Sequence, residues 1–447
     1  MDVARLNMSH GTHAQHLAAY QAVRAAGDQT GHSVGVLVDL QGPKIRLGTF
    51  PSGPVALQAG DEFTITGEDI PGNASEAATT YPELADDVKA GDQILVDDGR
   101  IMLEVTGTAG VRVRTRVRVG GQVSDHKGLN IPGTRLSVPA LSGKDEDDLR
   151  WALELRADMI ALSFVRGPED AAPVRKVMDE LGAALPLIAK IEKPQAVDAL
   201  PEILEAFDGL MVARGDLGVE LPLELVPMVQ KRAVSLAKDK AKPVIVATQM
   251  LESMISAPRP TRAEASDVAN AVLDGADALM LSAETSVGAY AEESVATMAK
   301  IILAAERESL QAAPSLTRVP TTTGGAIARA AAEVGAIVGA STLVAFTMSG
   351  ETARRLARYR SPIPLLAFTP LPETRSQLAL TWGVETFIAP PVVHTDDMVR
   401  QVETALLNIG RSWPGDKIVI VAGSPPGTPG KTNALRVHRI GDAIGSR

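Results

Sequence analysis

LIAKIEKPQAVDALPEILEAFDGLMVARGD, residues 187–216, carries the pattern that decides the fold. Two short apolar runs, LIAKIE (187–192) and LMVARGD (210–216), flank a stretch with helical spacing, and each run ends in charge. Runs this short, apolar on both faces, fit strands of a parallel sheet covered by helices. The same unit recurs in both directions. VARLN (3–7), VGVLVD (34–39), MIALSF (159–164), VIVATQ (244–249) and ALMLSAE (278–284) complete a set of seven runs. Polar or charged residues stand at or near their carboxyl ends: Asn7, Asp39, Ser163, Lys190, Asp216, Thr248 and Glu284. Such a rim is expected of a (β/α)8-type barrel. An open doubly wound sheet has the same local pattern, but seven strands without a Gly-rich dinucleotide turn favour the barrel.

Residues 44–138 break this rhythm. VALQAGDEFTIT, QILVDDGRIMLEV and VRVRTRVRV alternate with period two, and Asp98-Gly99 reads as a tight turn. An inserted antiparallel β domain is expected there, which divides the barrel into residues 1–43 and 139–315. Arg112, Arg114, Arg116 and Arg118 read as the solvated face of one strand, not as a polyanion site. Asp145 to Asp148 read as capping of the following helix, where the dipole favours anions, not as metal ligands. A Ser/Thr/Pro-rich stretch, Pro314 to Thr323, precedes a last unit, residues 324–447. There TLVAFT (342–347), PLLAFT (364–369) and KIVIVAG (417–423) alternate with helical stretches, the pattern of a three-layer α/β domain.

Composition narrows the function. Of 447 residues, 45% are hydrophobic and 22% charged, so long disordered regions are not expected. The formal charge of −10 argues against general binding of nucleic acid or anionic membranes. The absence of cysteine excludes disulfides, thiolate catalysis and Cys-ligated metals, and fits a reducing cytoplasm. No run approaches the ~20 apolar residues of a membrane span, and Met1 to Arg5 do not begin a signal peptide. A cytoplasmic protein is expected.

Lys190 and Glu192, two apart on a strand, share one face. Asp216 follows Gly215, whose lack of a side chain lets backbone N–H groups approach an anion. Two carboxylates from neighbouring strands, with substrate oxygens, suit a hard cation such as Mg²⁺. The adjacent lysine supplies a point charge for a phosphate or a developing enolate. Read alone, the motif is equally compatible with a buried structural Lys–Glu pair.

VARLNMSHG (3–11), LVDLQGPKIRLG (37–48), HKGLNIPG (126–133), IALSFV, IAKIEKP, VARGDLGVELP, the block ATQMLESM to LSAET (247–285) and GTPGKTNALRVHRIG (427–441) resemble pyruvate kinase in order and over essentially the whole chain. The resemblance implies a barrel with an inserted β-barrel lid and a C-terminal α/β regulatory domain. It also implies phosphoryl transfer from phosphoenolpyruvate to ADP, giving pyruvate and ATP. By the same resemblance, Glu192 and Asp216 match the Mg²⁺ (or Mn²⁺) ligands. Gly215, Asp216 and Thr248 match the phosphoenolpyruvate site, and Lys190 the lysine that stabilises the transferring phosphoryl and the enolate. Thr248 also matches the threonine near the enolate's methylene face. Arg5 matches a phosphate-clamping arginine, and Asn7, His10, Arg46 and Lys127 match nucleotide-side residues. A homotetramer is implied as well.

Family members begin with a further strand and helix upstream of VARLN, so a barrel lacking its first strand and an amino-terminally shortened chain are expected. Asn7, Ser9, Asp39 and Leu40 match the K⁺ site. Leu40 and Lys44, however, follow the branch in which a lysine takes the ion's electrostatic role, so K⁺ is not expected to be required. TMSGETA (347–353) resembles the effector-phosphate loop. Met348 and Glu351, where some members have basic residues, point to a monophosphate. Two alternatives are a metal-dependent 2-oxoacid aldolase, which would lack the insert and the C-terminal domain, and a non-enzymatic or inactive paralogue.

Overall fold

The computed structural model describes residues 1–134, 136–309, 319–426 and 431–444. Pro314 to Arg318 of the Ser/Thr/Pro-rich stretch and the GTPG of residues 427–430 lie outside the described residues. Seven strands form one parallel sheet in chain order: Val3–Asn7, Gly35–Asp39, Met159–Leu162, Leu187–Ile191, Gly209–Ala213, Val244–Ala247 and Ala278–Leu279. One face packs on helices through Leu6, Val36, Val38, Ile160, Leu162, Leu210 and Val246. The alternate residues Val3, Leu37, Met159, Ile188, Met211, Ile245 and Ala278 converge from all seven strands into a second cluster. First and last strands can share one cluster only if the sheet curls, so the wall is that of a barrel. Period-two alternation then continues the inner face into Arg5, Asn7, Asp39, Ser163, Lys190 and Glu192 toward the carboxyl ends. The interior is apolar below and charged above.

Five sequence runs end earlier than read, LIAKIE at Ile191 and VIVATQ at Ala247 among them. The strand in LMVARGD stops at Ala213, and Arg214–Glu220 is a helix, so Asp216 sits in a first helical turn. The strand in MIALSF stops at Leu162, and that in ALMLSAE covers only Ala278–Leu279. Glu284 lies in the short helix Ala283–Ser286 and accepts the Leu251 and Ser282 backbone N–H groups, tying two loops together.

The insertion holds a six-stranded sheet and a two-stranded ribbon around Phe63, Ile65, Ile94, Leu103, Val113 and Val117. Its pairing is antiparallel except between Glu62–Thr66 and Glu76–Ala78. The arginine stripe lies on the outer face of Arg112–Val119, where Arg112 pairs with Glu68 and Glu76, Arg116 with Glu62 and Arg118 with Glu104. The Asp97-Asp98-Gly99 turn takes positive φ throughout. Ser142 caps the helix Gly143–Glu154 reciprocally with Asp145, as the capping reading required.

The C-terminal sheet has five strands in the order Val384–Ile388, Leu365–Thr369, Thr342–Phe346, Lys417–Ala422 and Ala434–Arg439, the last antiparallel. Apolar clusters on its two faces make three layers. The two strands absent from the sequence reading are the sheet's edges, where polar residues dilute the apolar pattern. This domain closes the barrel floor: Leu380 is buried in the inner cluster of the barrel. Among the described residues, no helix is long and apolar enough to cross a membrane.

Candidate active site

The charged upper half of the barrel interior centres on Lys190. Its ammonium lies 2.9 Å from Glu192 Oε1 and 3.3 Å from Asp39 Oδ1, and donates to Ser163 Oγ at 2.7 Å. Ser163 in turn donates to the Leu40 carbonyl. Asp39 also receives Arg5 Nε at 2.7 Å on its other oxygen. Asp39 and Glu192 are essentially sealed, each at 1% side-chain exposure. Burial alone would push the Lys190 ammonium toward neutrality. The charges of Asp39, Glu192 and Asp216 outweigh it and hold the pKa above the ordinary lysine value.

Glu192 is pushed the other way. Burial raises its pKa, Lys190 counters, and the Asp216 carboxylate raises it again. Its second oxygen accepts the Phe164 N–H at 2.7 Å. Phe164 holds a positive φ of 56°. Two carboxylates that repel across a buried space form a donor set that fits a hard divalent cation. The groups offered are Glu192, which shares Oε1 with Lys190 and Oε2 with the Phe164 N–H, and Asp216; Asp39 carries two cations, Arg5 and Lys190. Among the described residues there is no preformed cluster of three acidic or imidazole ligands.

Thr248 sits just past its strand at a φ of 71°. Its Oγ1 donates to the Ala247 carbonyl at 2.6 Å and accepts the Gly215 N–H at 2.7 Å. The Gly215 N–H is therefore engaged by a side chain, unlike the open anion-facing group expected from sequence. Arg214 locks the pair by donating to the Thr248 carbonyl and to Asp267.

Arg5, Lys44 and Arg46 surround His10, whose pKa is lowered by partial burial and then by these three charges. Arg46 reaches from the insertion, donating to the His126 carbonyl. Lys127 does not join this group; it pairs with Asp97 at 2.8 Å within the insertion. Asn7 Oδ1 accepts the Ser9 N–H. Lys44 is exposed on the connection into the insertion. That connection turns at Gly42 with a φ of +74°, where a Cβ would fall 2.6 Å from the Phe164 ring.

Sequence reasoning missed the latch between insertion and barrel. Glu220 Oε1 accepts Asn130 Nδ2 at 3.0 Å from the insertion and Lys193 Nζ at 2.6 Å from the rim. All three residues lie inside motifs that carry the family resemblance, but no spacing rule marks them as partners. Asp39 as shared counterion of Arg5 and Lys190 was likewise invisible, since the two cations are far apart in sequence.

Comparison with known proteins agrees with this architecture. Family models described as "Pyruvate kinase, barrel domain" and "Pyruvate kinase, alpha/beta domain" match residues 1–295 and 325–438. A pyruvate kinase of Mycobacterium intracellulare is 59% identical over 442 residues, covering 99% of this chain and 93% of the relative. One from Corynebacterium glutamicum is 55% identical with the same coverage. The crystal structure of a pyruvate kinase from Cryptosporidium parvum superposes with a TM-score of 0.91 at 34% identity, covering 98% of this chain and 91% of that one.

Proposed function

This chain belongs to the pyruvate kinase family, and from that premise we propose that the Lys190 cluster is where phosphoryl leaves phosphoenolpyruvate for ADP. The overall reaction takes phosphoenolpyruvate, ADP and a proton to pyruvate and ATP. The observation that carries the placement is a buried, strongly protonated lysine between two carboxylates. Phosphoryl transfer needs in-line positioning and charge neutralisation more than covalent help.

Arg5 is the phosphate clamp. Its Nε is fixed by Asp39, which aims the planar fork and leaves both terminal nitrogens for oxygens of the substrate. Lys190 keeps its proton and meets charge that grows as the enolate forms, an interaction stronger in the transition state than in the ground state. Glu192 and Asp216 would hold Mg²⁺ or Mn²⁺; such an ion neutralises phosphoryl oxygens when bound. Thr248, oriented by Gly215 and Ala247, is the group beside the methylene carbon where a proton must arrive. Asn7, His10 and Arg46 serve the nucleotide, Lys127 reaches it by exchanging Asp97 for a phosphate oxygen, and the latch through Glu220 sets how the insertion closes over it.

K⁺ is not required in this reading. Asp39, the one anionic member of the Asn7, Ser9, Asp39 and Leu40 set, is already neutralised by Arg5 and Lys190. Lys44 brings a further positive charge to the nucleotide side. A phosphorylated effector binds the 347–353 loop, beside a cavity of about 110 Å³ that includes Thr347, Ser349, Thr352 and Lys431. The protein works as a cytoplasmic homotetramer, as its family and substrates imply.

A coupled assay for ATP formation from phosphoenolpyruvate and ADP tests the function on the full chain. Turnover dependent on both substrates supports it. Pyruvate release by carbon–carbon cleavage without ADP would indicate an aldolase, and no turnover a paralogue.

A further inference from the structure

At the barrel floor, opposite the Lys190 cluster, a crevice runs between the barrel and the C-terminal domain. Lys238 and Lys242 line it from the barrel, and Arg354, Arg358 and Arg360 from the C-terminal side. Asp277 is the one acidic residue lining it among the described residues. Five cations thus face one carboxylate, and that carboxylate is already engaged. Its Oδ2 accepts the Val244 N–H, while Oδ1 accepts the Trp382 N–H and Arg360 Nη2, each at 3.2 Å.

Arg360 is the clearest sign that something is expected here. Its side chain is 6% exposed and its guanidinium lies 4.7 Å over the Trp382 ring. Nη2 donates to the Gly275 carbonyl at 2.6 Å, yet Nε and Nη1 are buried with no partner. Arg358 Nε and Thr381 Oγ1 are buried and unpartnered as well. Arg358 otherwise donates to the Asp239 carbonyl. Buried polar groups are normally satisfied; Arg360 Nε and Nη1, which point in different directions because Nη2 lies between their edges, together with Arg358 Nε and the Thr381 hydroxyl, offer single donors to an oxyanion. Burial and the charge of Arg360 depress the Lys238 pKa against the opposing pull of Asp239 and Asp277, and burial depresses that of Lys242 against Asp208 and Glu205. Asp208 partly offsets Arg354 but is itself held by Arg175.

We propose that this crevice binds a tetrahedral oxyanion of the phosphate class, joining the barrel to the C-terminal domain through Arg358, Arg360, Lys238 and Thr381. A water could fill the hydrogen bonds but would add no negative charge to the partial compensation that Asp277, Asp239, Asp208, Glu205 and Glu351 give these cations. The cavity is about 10 Å³ as it stands, room for one oxygen-sized group. Lys242 and Arg354 are half-buried long side chains at its margin; a whole tetrahedral anion enters only as they exchange their present bonds, Lys242 to the Leu204 and Phe207 carbonyls and Arg354 to the Ser349 carbonyl, for its oxygens. The site lies at the amino end of the strand that carries Thr248 beyond its other end.

Trp382 provides a local reporter. The chain has three tryptophans, so Trp151→Phe with Trp413→Phe leaves Trp382 alone. Inorganic phosphate is titrated into this full-length protein at constant ionic strength, with chloride as the reference. A saturable change in Trp382 emission is expected. Lys238→Met and, independently, Arg358→Gln should weaken it by about tenfold or more, while Thr352→Ala in the 347–353 loop leaves the midpoint unchanged. Glucose 6-phosphate distinguishes the sources: tighter binding than phosphate assigns a phosphoryl ester, equal or weaker binding a free anion. A response no larger than that to chloride, or one unmoved by both charge-removing variants, overturns the proposal.

Discussion

Glu192→Gln is expected to stabilise the ligand-free protein while removing its activity. Glu192 is 1% exposed, and burial together with Asp216 outweighs the attraction of Lys190, so its pKa lies above the usual carboxylate range. A raised pKa means that the folded chain holds the proton more tightly than the unfolded one. The stability this group contributes is therefore fully present below the unfolded value and is lost as pH rises through the folded value. Gln keeps the shape but carries no charge, and its one oxygen accepts from either Lys190 or the Phe164 N–H, not from both. Replacing a whole buried ion pair by neutral groups of similar volume is often worth about 1–4 kcal/mol, whereas removing one partner is costly when the charge left behind has no other counterion. Lys190 keeps Asp39 as partner, so a gain of about 1–2 kcal/mol near pH 8 is expected, at roughly 2–4 °C in Tm per kcal/mol. Scanning calorimetry without substrate or metal, from about pH 5 to about pH 8, reads it: the gap between variant and parent should widen with pH. Added Mg²⁺ should raise the transition of the parent and leave that of the variant in place. A variant less stable than the parent at the alkaline end, or a gap independent of pH, would refute the reasoning.

Three further outcomes follow from the nucleotide and effector sides. In an NMR titration the His10 imidazole should titrate below the ordinary histidine range and move upward when ADP binds, because phosphates neutralise the charges of Lys44, Arg46 and Arg5; no movement would remove His10 from the nucleotide site. Replacing KCl by a tetraalkylammonium salt at fixed ionic strength and fixed Mg²⁺ should change activity by less than about tenfold, the equivalent of roughly 1.4 kcal/mol, whereas Lys44→Glu should create a K⁺ requirement. Calorimetry should show a sugar monophosphate or AMP binding at the 347–353 loop, and tight activating binding of fructose 1,6-bisphosphate would contradict the assignment.

The barrel was legible because its strands are buried on both faces and read as short apolar runs. The polar rim was legible because inner-face alternation continues past the apolar layer into Lys190 and Glu192. Helix starts such as Ser142 with Asp145 were legible because capping is local. What stayed hidden is non-local. Asp39 serves Arg5 and Lys190 only because the first, second and fourth strands of the sheet curl around one axis. The Asn130–Glu220–Lys193 latch joins the insertion to two barrel loops. Edge strands such as Ala434–Arg439 alternate with exposed polar residues and lack the apolar signal. Asp216 moved from a strand end to a helix because Arg214, anchored to Asp267 and Thr248, turns the chain at once.

The central claim is that the Lys190 charge acts on the transition state, and Lys190→Met tests it most directly. Turnover in the coupled assay and phosphoenolpyruvate affinity by calorimetry should be measured on the same preparation. The loss of a buried charge aimed at developing negative charge should lower kcat by about 10²–10³, with phosphoenolpyruvate binding weakened far less. A variant that keeps its kcat and loses phosphoenolpyruvate binding would contradict the account.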